Sequence, residues 1–133
     1  MFDGHTDIVR IIDEATVRAH VTLTAAREAV HDAFCAHAAG KVVAPDELAM
    51  VLDHGGELHV KGAHLGGPHF AFKAASGGFP AGGNTGFTAV LDADSGRLVA
   101  VLDDGGWLTE VRLQTRISSS GKASCIAATW KPA

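Results

Sequence analysis

The sequence predicts an α+β fold: N-terminal helices, then a mostly antiparallel sheet of five to six strands, then a short C-terminal helix. Three observations predict it. Apolar residues recur at helical spacing up to Gly40. Beyond Pro45 the chain breaks into strand-length segments separated by glycine, of which it has 16. Two apolar runs flank Asp94-Ser95-Gly96, a hairpin signal. Helices first and strands after is the order of an α+β domain.

Each element has its own warrant. Ile8-Val9-Arg10-Ile11-Ile12 is rich in β-branched residues and reads as a short strand. Asp13 can cap the short helix that follows, with Glu14 in its first turn. Thr24 is the expected cap of a longer helix. Ala26, Val30, Ala33, Phe34 and His37 form its apolar stripe, with Arg27, Glu28, His31 and Asp32 at other positions. Gly40 is its expected stop. Strands are expected over 47–52, 57–63, 69–75, 85–92 and 97–102, with a long loop over 76–83. Trp107 opens the expected C-terminal helix. Residues 1–116 read as one domain, and 117–133 as an irregular tail.

Composition narrows the function. The 133 residues are 47% hydrophobic and 20% charged, the balance of a globular domain able to bury a core. Net charge is −4 and the 11 basic residues are scattered, so nucleic acid is not an expected partner. No apolar run reaches the roughly 20 residues of a membrane span, and no membrane partner is expected. The N-terminus lacks a secretory pattern, and Cys35 and Cys125 have no metal or redox spacing. Cys35 reads as a small buried apolar residue, and the expected address is the cytoplasm.

A few residues could carry chemistry. Lys73 lies inside an apolar strand, near its end before a glycine-rich loop, and shares a face with Ala71 and Ala75. There it can hold an anion in a cleft, or lie solvated on an open sheet. Arg112 can grip a carboxylate bidentately, or be an ordinary surface arginine. Lys61 is a third cation and belongs to the His59 face. Glu47, Glu57 and Glu110 could do acid–base work, but no spacing marks a pair, so no catalytic residue is assigned. His59, His64 and His69 lack the close pairs of a zinc site, and no metal is expected. His37 reads as a core or boundary residue. No nucleophile elbow and no phosphate loop is present; the glycines of 77–83 have the wrong spacing for a nucleotide.

Together the segments resemble the ornithine cyclodeaminase/mu-crystallin family from about residue 8 to 112. The resemblance rests on Glu57-Leu58-His59-Val60-Lys61-Gly62-Ala63, on Phe70-Ala71-Phe72-Lys73, on Asp92-Ala93-Asp94-Ser95-Gly96 and on Leu108-Thr109-Glu110-Val111-Arg112. It implies the substrate-binding and dimerisation domain of an enzyme whose family uses NAD(H) or NADP(H) to deaminate or reduce amino and imino acids. It implies that Lys73 and Arg112 hold the substrate carboxylate. Many members carry an arginine near the position of Glu47, and Lys61 is expected to replace that charge. The resemblance stops near Leu113, where truncation or a frameshift is the expected cause. The family's Rossmann domain is then absent, and the chain alone is expected to bind no cofactor and to be inactive. A small amino or imino acid and a second copy, packed sheet to sheet, are the expected partners. The alternative is a non-catalytic small-molecule-binding or dimerisation module.

Overall fold

The computed structural model describes residues 8–103 and 105. Strand β1 (Arg10–Ile12) leads directly into helix α1 (Glu14–His20). Asp13 caps α1: its carboxylate accepts the Thr16 N–H at 2.8 Å. A carboxylate there also suits the positive end of the helix dipole.

Helix α2 (Leu23–Ala38) starts one residue after Thr22, not Thr24. Thr22 Oγ1 accepts the Ala25 N–H at 3.1 Å. Both threonines can cap, and the extended backbone of Thr22 (φ −76°, ψ 152°) decides between them. The C-terminal stop is at the expected glycine. Gly40 has φ +72°, and the N–H groups of Lys41 and Gly40 reach back to the carbonyls of Ala36 and His37, both at 3.0 Å. That double closure is a Schellman motif, which needs a residue free to enter the left-handed region.

Five strands follow: β2 (Leu48–Val51), β3 (Glu57–His64), β4 (His69–Gly77), β5 (Thr85–Asp92) and β6 (Leu98–Asp103). With β1 they form one six-stranded sheet in the order β1-β6-β5-β4-β3-β2. The meander β2 to β6 is antiparallel, and β1 pairs with β6 in parallel. The sheet is therefore mixed, with one parallel edge that returns the N-terminus to the last strand. The long loop is shorter than expected because β4 runs to Gly77. Asp92 orders the β5–β6 turn by accepting the Ser95 N–H at 2.8 Å and the Ser95 hydroxyl at 2.7 Å. At the far end of the sheet the β2–β3 and β4–β5 connections touch: a Cβ on Gly78 (φ +69°) would lie 2.6 Å from the Gly55 carbonyl oxygen.

The fully buried apolar residues among those described are Val17, Ala26, Ala74, Ala89 and Ala100. Four of the five are alanines, so the larger side chains of the sheet remain partly exposed. The expected C-terminal helix, Arg112, Glu110 and the 117–133 tail lie outside the described residues. No described helix is long and apolar enough to cross a membrane.

Candidate functional site

Side chains alternate along a strand, so Glu57, His59, Lys61 and Ala63 of β3 share one face. The register extends that face across the sheet. His59 lies opposite Ala75 and Lys61 opposite Lys73, and Lys73 in turn lies opposite Thr88 on β5. Helix α2 lies over this face. Between helix and sheet is a pocket of about 630 Å³. Phe34 and His37 of α2 line it from above, and His59, Lys61 and Lys73 line it from the sheet. Most of the remaining wall is aliphatic, from residues such as Val30, Val42 and Leu65.

Glu47, just before β2, reaches across to β3. Its Oε2 accepts from Lys61 Nζ at 2.9 Å, and its other oxygen accepts from His59 Nδ1. His59 Nε2 donates to Glu57 Oε2 at 3.1 Å. An imidazole with a carboxylate at each nitrogen must donate from both, which only the protonated ring can do. Glu57 first, and Glu47 after it, accordingly hold the His59 pKa above its ordinary 6.5. The hydrogen bond from Lys61, with a smaller part from His59, holds Glu47 below its ordinary 4.5. Lys61 and Lys73, directly opposed on neighbouring strands, would repel. The ion pair with Glu47 offsets that repulsion.

The structure thus brings together three of the residues singled out in the sequence: Lys73, Lys61 and Glu47. Lys73 is half-buried in the pocket wall, not solvated on an open sheet. Arg112 lies outside the described residues. His37, read as a core or boundary residue, is exposed and lines the pocket. Cys35 is half-buried, with Sγ 3.7 Å from His31 Nε2. His64 points to the opposite face from His59, since it pairs with Phe70, and its Nε2 donates to the Gly67 carbonyl at 2.9 Å. Among the described residues no group of three or more metal-ligating side chains is arranged around a common point. The sequence reading missed the contacts of Glu47 with His59 and Lys61 and, within β3, that of His59 with Glu57. The signal was the alternation of 57, 59 and 61 on one strand.

The glycines of 77–83 connect two antiparallel strands, β4 and β5. The described strand-to-helix junction is β1 to α1, where the Asp13 carboxylate occupies the helix N-terminus.

No family model matches the chain. A Rhizobium meliloti (strain 1021) protein named "Putative dehydrogenase RB0419" is 38% identical over 116 residues, which are 78% of this chain and 34% of that protein. Three solved structures share the fold. An archaeal alanine dehydrogenase dimer with bound NAD superposes with a TM-score of 0.71 at 22% identity, over 81% of this chain and 34% of its own. Thermococcus litoralis Δ1-pyrroline-2-carboxylate reductase, in complex with NADH and L-proline, gives 0.74 at 18% identity, over 86% of this chain and 37% of its own. A probable ornithine cyclodeaminase from Bordetella pertussis Tohama I gives 0.68 at 25% identity, over 81% of this chain and 34% of its own. The chain therefore spans about a third of the length of the relatives it matches. The family resemblance read from the sequence stands: the neighbours are ornithine cyclodeaminase, alanine dehydrogenase and related NAD-dependent reductases.

Proposed function

We propose, for a chain that resembles ornithine cyclodeaminase, alanine dehydrogenase and related NAD-dependent reductases, that it is the substrate-holding part of an amino- or imino-acid oxidoreductase or cyclodeaminase. The pocket beneath α2 is its substrate site. Lys73 holds the substrate carboxylate, with Lys61 beside it and Arg112 as a further cation. The observation that carries this reading is the register pairing of Lys61 with Lys73 on the floor of a roughly 630 Å³ pocket. A carboxylate needs a fixed cation, and a fixed carboxylate orients the substrate α-carbon for reaction.

NAD(H) or NADP(H) would supply hydride transfer in such an enzyme. The described residues do not fit a dinucleotide. A pyrophosphate needs a helix N-terminus opened by a glycine turn after a strand, and Asp13 places a negative charge at the described junction of that kind. The hydride step would lie with that group and not with these residues. Their part is to bind and orient.

The same reading gives the opposite face of the sheet a second copy of the chain. Ile11, Leu48, Met50, Phe87 and Leu98 are all exposed there. An apolar surface of that breadth on a soluble domain marks a contact site. The neighbouring alanine dehydrogenase is a dimer.

Calorimetric titration with L-proline, on the native chain and on Lys73→Ala, tests the site. The native chain should bind, and the variant should bind about tenfold more weakly, the size of one lost charge-assisted hydrogen bond. Equal binding by the two proteins would remove Lys73 from the site.

A further inference from the structure

We infer that the pocket beneath α2 takes up a proton from solvent when a carboxylate enters it, and that the His59 imidazole holds that proton. The inference deepens the proposed function and rests on the pocket being the substrate site.

The geometry supplies the holder and its supports. His59 is on the pocket wall with Lys61 and Lys73. Its Nδ1 meets Glu47, which reaches in from just before β2, and its Nε2 meets Glu57 at 3.1 Å, two residues back on β3. A ring between two carboxylates fills both contacts only when each nitrogen carries a hydrogen. Glu47 also accepts from Lys61 Nζ at 2.9 Å. Hydrogen bonds thus run from Glu57 through His59 and Glu47 to Lys61. With His59 protonated, these four groups carry two negative and two positive charges. Without that proton they carry a net negative charge, and one carboxylate loses its donor.

A ligand carboxylate adds a negative charge to the same pocket. Beside the protonated cluster it meets an imidazolium and an ammonium in balance with Glu47 and Glu57. Beside the deprotonated cluster it meets an excess of its own charge. An opposite charge favours the protonated ring, so ligand and proton each strengthen the binding of the other. The wall of Phe34, Val42 and Leu65 lowers the local dielectric and strengthens that coupling.

Charges reach the ring from several elements. Among the described residues, β3 brings Glu57 and Lys61, the segment before β2 brings Glu47, β4 brings Lys73 and α2 brings His37. β2 itself places Ala49 opposite His59. His37 is the other imidazole on the pocket. His59 is assigned the proton because a carboxylate stands at each of its nitrogens. Glu57 first, then Glu47, hold its pKa above 6.5, so the uptake falls in the range above that value.

Calorimetric titration of the 133-residue chain with L-proline, in buffers of unequal ionisation heat, counts the protons. Native protein should take up a fraction of a proton per L-proline bound, and its affinity should fall about threefold from about pH 6 to about pH 9. His59→Gln should bind L-proline without uptake and at an affinity level with pH. Glu47→Gln should keep the uptake but move it to lower pH, because one supporting carboxylate is gone. The His59 ring resonances of the native chain give a reading that needs no variant to fold. Saturating L-proline should raise their titration midpoint by about half a pH unit. Binding without uptake, an unmoved midpoint, or uptake that survives His59→Gln overturns the inference. So does uptake that disappears in His37→Gln while the His59 midpoint stays fixed. L-proline binding that needs Lys73 but ignores pH sinks the proton and leaves the site. No L-proline binding, or binding unaffected by Lys73→Ala, sinks both.

Discussion

The two faces of this sheet are made by the same strands and do opposite things. On the face beneath α2, strand β3 presents Glu57, His59 and Lys61, and β4 presents Lys73 and Ala75. On the other face the same two strands present Leu58 and Val60, Phe70 and Phe72, and β5 adds Phe87. Phe72 and Phe87 meet edge to face with ring centroids 6.4 Å apart. One face carries small and charged residues beneath a helix, with the pocket between them. The other carries large apolar residues, yet Leu48 is 54% exposed, Met50 50% and Phe87 42%. Period two thus lets one set of strands turn charged side chains toward the pocket and an exposed apolar surface the other way, with a single layer of backbone between them. A one-residue slip would exchange the two faces.

The largest expected effect breaks the apolar face. If that face packs against a second copy, Phe87→Asp places a charge in a desolvated centre and should weaken self-association roughly a hundredfold. Val51→Asp is the matched control. Val51 is also exposed, but it pairs with Glu57 and so belongs to the pocket face. Sedimentation velocity over a concentration series should show Phe87→Asp as a monomer and Val51→Asp as a dimer. Monomeric native protein, or equal behaviour of the two variants, would remove the apolar face as a dimer contact.

A smaller effect reaches the pocket face through its helix. Thr22 caps α2, and losing that cap should cost about 1 kcal/mol. Thr24→Ala, one residue into the helix, should cost less than half as much, because Thr24 is an exposed interior position. Urea unfolding measures both. Hydrogen exchange should quicken in α2 of Thr22→Ala while β4 and β5 keep their protection. Equal losses at Thr22 and Thr24 would put the cap at neither.

Much of this comparison was legible in the sequence. Alternation placed Lys73 with Ala71 and Ala75, and glycine punctuation placed the β-meander to within one or two residues. Asp13 and Gly40 marked helix ends because each does a job that few residue types can do. Thr22 and Thr24 could not be separated, since the choice lies in the backbone angles at the junction with α1. The parallel pairing of β1 with β6 was out of reach for the same kind of reason. Nothing in Ile11-Ile12 names a partner some 90 residues away, such as Val101 and Leu102. Glu47 was noticed as a charge in an unexpected place. Its role needed the β2–β3 register, which carries it alongside His59 and Lys61. No local pattern predicts a contact that spans 12 residues through a turn.

The smallest effect is a pH dependence confined to the pocket face. His59 donates to Glu57 and Glu47, and its pKa is raised above 6.5. A raised pKa stabilises the folded chain fully below the unfolded value, and that contribution fades as pH rises through the folded value. Glu47 runs the other way. Its pKa is held below 4.5, so its contribution is complete above that and fades as pH falls through the folded value. The two windows overlap between 4.5 and 6.5, where the cluster contributes most. All of its members are solvent-accessible, so screening keeps the contribution small. Melting temperatures of the native chain and of His59→Gln should therefore differ most between about pH 5 and pH 6, and the gap should close as pH rises through the folded value of His59. The apolar face has no part in this, and Leu48→Ala should shift the melt by the same amount at every pH in that range. A native-to-variant gap for His59→Gln that widened with rising pH would mean that the ring is held neutral, and the doubly donating geometry between Glu57 and Glu47 would have to be abandoned.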